Sequence, residues 1–156
     1  MTSVPIESAA PGAPGIRKTA RRFGIAWVLL CAALALHVAD EAMTDFLSVY
    51  NPSVLAIRER FPFLPLPVFT FELWLAGLCL AVLLLLCLSP LAFRGNRIAV
   101  LAAYPLAFLM FLNGLGHVGG SIYLGQWMPG VYSSPFLLFA SVYLFLIARK
   151  QRSNHP

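Results

Sequence analysis

The chain has 156 residues, 60% hydrophobic and 11% charged, with a net charge of +5 and a mean hydropathy of +0.80. Soluble domains carry about 45–50% apolar and about 25% charged residues, and a globule this small has too little interior to hide the excess. Disorder, collagen, coiled coil and nucleic-acid binding are excluded by this composition; lipid is the solvent that fits it, and the basic residues read as topology signals.

Residues 1–22 are rich in Pro, Ala, Ser and Gly and show no apolar period, which predicts a disordered cytoplasmic tail ending in Arg17, Lys18, Arg21 and Arg22. A basic stretch before an apolar run also fits a signal peptide, with Ala33-Leu34-Ala35 as a loose cleavage site, but the run continues to spanning length. Four apolar runs follow: Phe23 to Ala39, Pro67 to Leu88, Ile98 to Val118 and Val131 to Ala148. Each holds about 17–22 residues, enough to cross about 30 Å of hydrocarbon as a helix. None alternates as barrel strands do. The expected fold is an all-α membrane protein, a four-transmembrane-helix bundle over residues 23–148 with a second cytoplasmic tail at 149–156.

Between the first two runs, Phe46, Leu47, Val49, Tyr50, Val54, Leu55, Ile57 and Phe61 interleave with Ser48, Asn51, Arg58 and Glu59. Asn51-Pro52 reads as the cap and start of a short amphipathic helix on the outer surface. Pro62, Pro65 and Pro67 then turn the chain into the second span. Pro105 is expected to kink the third. Gly116 and Gly120 have the GxxxG spacing that lets membrane helices touch; the glycines around His117 fit equally a helix that unwinds there. Trp127-Met128-Pro129-Gly130 reads as a turn, after which Tyr132, Ser133 and Ser134 are expected to reach the outer end of the polar site within the spans. Trp27 and Trp127 read as interface aromatics. Cys31, Cys79 and Cys87 form no CxxC and read as small buried hydrophobes.

Of the 11 Lys and Arg residues, all but Arg58 and Arg60 fall on one side of this arrangement, at 17–22, 94–97 and 149–152. The positive-inside rule then puts both termini in the cytoplasm, in a bacterial inner membrane.

Charged groups at bilayer depth are costly, so the few present carry the functional information. They are His37, Asp40, Glu41, Glu72 and His117, with Asn113 as a neutral companion. At 1.5 Å per residue all six stand about 21–28 Å above the cytoplasmic face, in the outer leaflet. His37, Asp40 and Glu41 are spaced i, i+3, i+4, and Asn113 and His117 i, i+4, so each set lies on one helix face. Each residue also has a simpler reading. Asp40 and Glu41 mark the end of a span among headgroups, Glu72 is a protonated acid bonded to a neighbouring helix, and either His is a hydrogen-bonded structural group. Their common depth on three helices favours a shared site instead.

The segment His37-Val38-Ala39-Asp40-Glu41 resembles the HXXEE motif of a family of small membrane proteins named for it, with Asp40 in place of the first Glu. Asn113, His117 and Pro129-Gly130 are similar to later positions of that family, and the resemblance covers about residues 23–147. It implies a membrane helical bundle and metal binding, with no reaction attached. His37, Glu41 and Glu72 also resemble, over a shorter stretch, the His and acids of sterol isomerases of the emopamil-binding type.

The reading that follows is a site for a divalent metal ion (Zn, Fe or Mn) held by His37, Glu41, Glu72 and His117 and oriented by Asp40 and Asn113. With His37, Glu41 and Glu72 as catalytic groups, it would hydrolyse or oxidise a membrane lipid or lipid-like small molecule. Two rivals are a metal-free acid/base isomerase of an apolar substrate and a non-enzymatic carrier or accessory subunit with a proton relay.

Overall fold

The computed structural model describes residues 14–153. The rest of the two expected tails, residues 1–13 and 154–156, lies outside the described residues. Six helices make up the fold: α1 (Pro14–Met43), α2 (Leu47–Arg60), α3 (Phe71–Cys87), α4 (Ser89–Phe93), α5 (Arg97–Leu124) and α6 (Ser134–Ser153). No strand occurs among the described residues.

Three helical stretches are long and apolar enough to cross a membrane: Arg17–Met43, Phe71–Phe93 and Arg97–Leu124. Only 11% of the most apolar window of Phe71–Phe93 is buried, and Leu80, Leu83 and Leu84 point outward. Against lipid such exposure costs nothing; in water it would. The fourth expected span is different. The apolar part of α6 ends at Ala148, where Arg149 and Lys150 follow, so it is short for a span on its own. It is instead buried along one face, with Leu137, Leu144 and Ala148 fully enclosed. α6 packs against α1 on one side and α5 on the other, and α1 packs in turn against α3 and α4.

α1 starts at Pro14, well before the apolar run, so Arg17, Lys18, Arg21 and Arg22 ride on helix and not in a tail. Ala20 is buried there against the turn at Gly95. Gly95 has φ +64, and a Cβ on it would run into the Gln151 side chain of α6. The N-terminal part of α1, the α4–α5 turn and the end of α6 therefore meet at one end of the bundle. The early start also moves Trp27 inward. It is 1% exposed and its indole N–H donates to the Leu85 carbonyl at 2.8 Å, joining α1 to α3; the expected interface role is not what it does. Trp127, at 75% exposed, remains at the surface.

Asn51 does not begin α2. The helix starts at Leu47 and runs through Pro52, while the Asn51 amide pairs with the backbone of Phe69, accepting from its N–H at 3.1 Å and donating to its carbonyl at 2.9 Å. Tyr50 donates to the Pro67 carbonyl at 3.2 Å. Together they hold α2 against the Pro-rich strap that leads into α3. α5 continues through Pro105 and past His117 to Gly125, whose φ of +63 ends it; the unwound alternative is not adopted. The close helix contact lies at Gly114, where a Cβ would come within 3.0 Å of Leu138 and 3.3 Å of the Ser134 carbonyl of α6. Gly116 meets no neighbour within 4 Å and Gly120 faces Met128 in its own loop, so the GxxxG pair makes no helix contact. Cys31 is buried as expected, whereas Cys79 and Cys87 are exposed on α3.

Candidate metal centre

The C-terminal end of α1 carries the first half of the site. His37 and Glu41, one turn apart, are 1% and 4% exposed, and His117 of α5, at 5%, completes a buried group. Glu41 Oε1 lies 3.1 Å from His117 Nε2 and 3.6 Å from His37 Nε2. One ligand atom from each residue falls within 4.8 Å of the others. The two imidazoles meet edge to face, with centroids 4.8 Å apart and planes at 76°. Ligands about 2.0–2.2 Å from a tetrahedral ion sit about 3.4 Å from one another, so the two Glu41 distances straddle the edge length that such an ion requires.

A hydrogen-bond chain decides which nitrogen of His37 is free. The Ser133 backbone N–H donates to Asp40 Oδ2 at 2.8 Å, and the Ser133 hydroxyl donates to the same oxygen at 2.7 Å. The hydroxyl proton is then used. His37 Nδ1, 2.8 Å from Ser133 Oγ, must supply the proton of that contact as donor. Nε2 is left bare, buried and without a hydrogen-bond partner. Its lone pair faces the Glu41 carboxyl oxygen, an arrangement that repels unless a metal cation or a proton lies between them.

Gly130 forms the wall behind the group. Its φ is +82, and a Cβ there would stand 2.9 Å from Glu41 Cγ and 3.0 Å from His117 Nδ1. Its N–H donates to Thr44 Oγ1 at 3.3 Å and its carbonyl accepts from Ser134 Oγ at 2.8 Å. The turn before α6 is thus pinned to the end of α1, and only a residue without a side chain lets the imidazole and the carboxyl come together there.

Residues 27–144 match the model of a family described as proteins of unknown function with an HXXEE motif. The chain belongs to the HXXEE family. No curated protein and no solved structure matches it. In this HXXEE protein the first and last residues of the motif, His37 and Glu41, face each other in the buried group, while position 40 reaches the group through Ser133.

Of the remaining expected residues, Asn113 stays beside His37, its side chain within reach of the ring, and the others are placed differently. Glu72 is exposed in the first turn of α3, behind the cap made by Thr70, and is not brought to the group. Asn113 lines a cavity of about 380 Å³ beside His37 and Glu41. Tyr132 stacks on Trp127 at the surface, away from the group. Ser133, expected to reach the site, is the link itself, and Gly130 was legible as half of a Pro-Gly turn and as part of the resemblance to the family. Phe46, whose ring centroid lies 5.6 Å from that of His117 and 5.8 Å from that of Trp74, had no sequence signal beyond its apolar character.

Proposed function

We propose that this HXXEE protein is a four-span integral membrane enzyme with both termini in the cytoplasm, and that His37, Glu41 and His117 hold one divalent cation in its outer leaflet. The observation that carries this reading is the bare Nε2 of His37, buried 3.6 Å from a carboxyl oxygen. Two imidazoles and one carboxylate suit Zn, Mn or Fe(II). With Glu72 turned away, the protein supplies three ligands in place of four, the count of an open, catalytic site. A bound ion would act as Lewis acid and activate water for hydrolysis, or bind an oxidant. His37 and Glu41 border the cavity, so a membrane-soluble substrate can approach the same atoms. The basic residues gathered at the opposite end support the orientation.

Metal analysis of protein purified in detergent without chelator tests the reading. About one divalent ion per chain is expected, with a melting temperature that falls on chelation and recovers on re-addition, because an ion bound to the folded state stabilises it. Metal-free protein whose melting temperature ignores added Zn, Mn and Fe(II) would remove the reading. The 3.1 Å contact between His117 and Glu41 would then stand as the proton-transfer pair of a metal-free isomerase.

A further inference from the structure

The cavity beside the site has a shape and an exit that narrow what enters it. α1 forms its floor through Leu34, His37, Val38 and Glu41; α3 and α5 form its flanks. α3 and α5 make little contact with one another and the cavity they flank is open and not enclosed, which leaves a side opening between them. His37 and Glu41 of the floor and Asn113 of one flank stand at one level, below the rings of Phe46, Tyr50 and Phe69, while one turn deeper Leu34, Gly77, Leu78 and Met110 are apolar. A volume of about 380 Å³ is near the lower end of the range for small-molecule sites. It gives room for one chain and not for the two of a bilayer phospholipid.

Gly77, exposed on α3, adds no side chain to this room. It lies on the face of α3 that lines the cavity, and a Cβ there meets no atom within 4 Å. Glycine inside a helix costs about 1 kcal/mol relative to alanine, and no packing neighbour requires it here. An empty space in front of a residue without a side chain, next to a buried reactive group, is what a bound molecule would fill.

We propose that the substrate is a single-chain amphiphile with a carbonyl-containing head, entering sideways between α3 and α5. The head lies against His37, Glu41 and Asn113 and the chain passes over Gly77. This rests on the reading of His37, Glu41 and His117 as the reaction site. Head chemistry follows from these groups: an amide N–H from Asn113 and a cation both bind a carbonyl oxygen.

The probe is a long-chain fatty acid carrying a mid-chain diazirine, photolysed with the full chain in nanodiscs and mapped by mass spectrometry, with bound metal measured on the same samples. Labelling is expected at Leu78 and Met110, displaced by excess unmodified fatty acid. Gly77→Leu should fold, keep its metal and lose that labelling by about tenfold, since a few extra carbons in an apolar pocket suffice for such discrimination. Gly77→Ala should lose less. Unsaturable labelling spread over the outward residues Leu80, Leu83 and Leu84, unchanged in Gly77→Leu, would overturn the proposal even with metal bound. Saturable, Gly77-sensitive labelling of metal-free protein would uphold the chamber and overturn the metal.

Discussion

Asp40 receives two hydrogen bonds from Ser133, one from the backbone N–H at 2.8 Å and one from the hydroxyl at 2.7 Å, across 93 residues of sequence. That pair fixes the height of the turn before α6 against the end of α1, and it sets the tautomer of His37. It also explains how an aspartate serves at this position of the motif. The acid has only to reach the adjacent turn, and the shorter side chain does so.

Removing either partner should therefore weaken the ion without abolishing it. Ser133→Ala and Asp40→Asn are expected to lower metal affinity by about 10–100-fold, the usual effect of losing the group that orients a histidine ligand. Competition with a chromogenic chelator measures this directly. Affinities equal to that of the parent in both variants would show that the chain does not orient His37.

The ligands themselves should behave more severely. His37→Ala and His117→Ala are expected to lose nearly all bound metal, and Glu41→Gln to retain a weakly held fraction, because the amide oxygen still offers a lone pair but no charge. Glu72→Gln should keep the full complement, since Glu72 is exposed on α3. The metal-to-protein ratio of the four purified variants separates the three-residue group from a set that includes Glu72.

Depth along a helix is legible from sequence, but direction around it is not when the helix is apolar on every side. Counting rise brought His37, Glu41 and His117 to one height, and burial of charge made their meeting the economical outcome. The same counting put Glu72 level with them. Yet Trp74, Leu78 and Val82 are among the α3 residues turned toward the bundle or its cavity, and Glu72 stands about 200° around the helix from Trp74 at about 100° per residue. With leucine on all faces of α3, no apolar stripe announced that direction. Trp27 was misplaced for a related reason: the basic residues were assigned to a tail, and their place on α1 carries Trp27 into the core. Ser133 was legible as a residue that reaches the site, but its pairing with Asp40 and His37 was not, because those partners come from the far end of α1.

Gly130 tests how closely the site is built. Gly130→Ala would put a methyl against Glu41 Cγ at 2.9 Å and His117 Nδ1 at 3.0 Å, on a backbone with φ +82. A destabilisation of about 1–3 kcal/mol is expected from the backbone alone, with loss of metal as the two ligands are pushed apart. Gly116→Ala, which meets no atom within 4 Å, is the control and should keep its metal with a melting temperature at or above the parent's. A Gly130→Ala protein with parental melting temperature and metal content would mean that the turn is not seated against the group.

Orientation gives the last prediction. Gly95 abuts Gln151 and Ala20, so the basic residues beside all three positions converge on one end of the bundle. The acids Asp40, Glu41, Asp45, Glu59 and Glu72 lie toward the other, at the end of α1, on α2 and at the start of α3. Such an asymmetry predicts the basic end in the cytoplasm. Ser133 is buried and unsuited as a reporter; Gln126, exposed in the loop after α5, and Ser153, exposed at the end of α6, are suited. In a background lacking Cys31, Cys79 and Cys87, a membrane-impermeant maleimide should label Gln126→Cys in intact cells and Ser153→Cys only after lysis. The reverse pattern would turn the bundle over and put the His37, Glu41 and His117 group in the inner leaflet, where the substrate would be drawn from the cytoplasmic side.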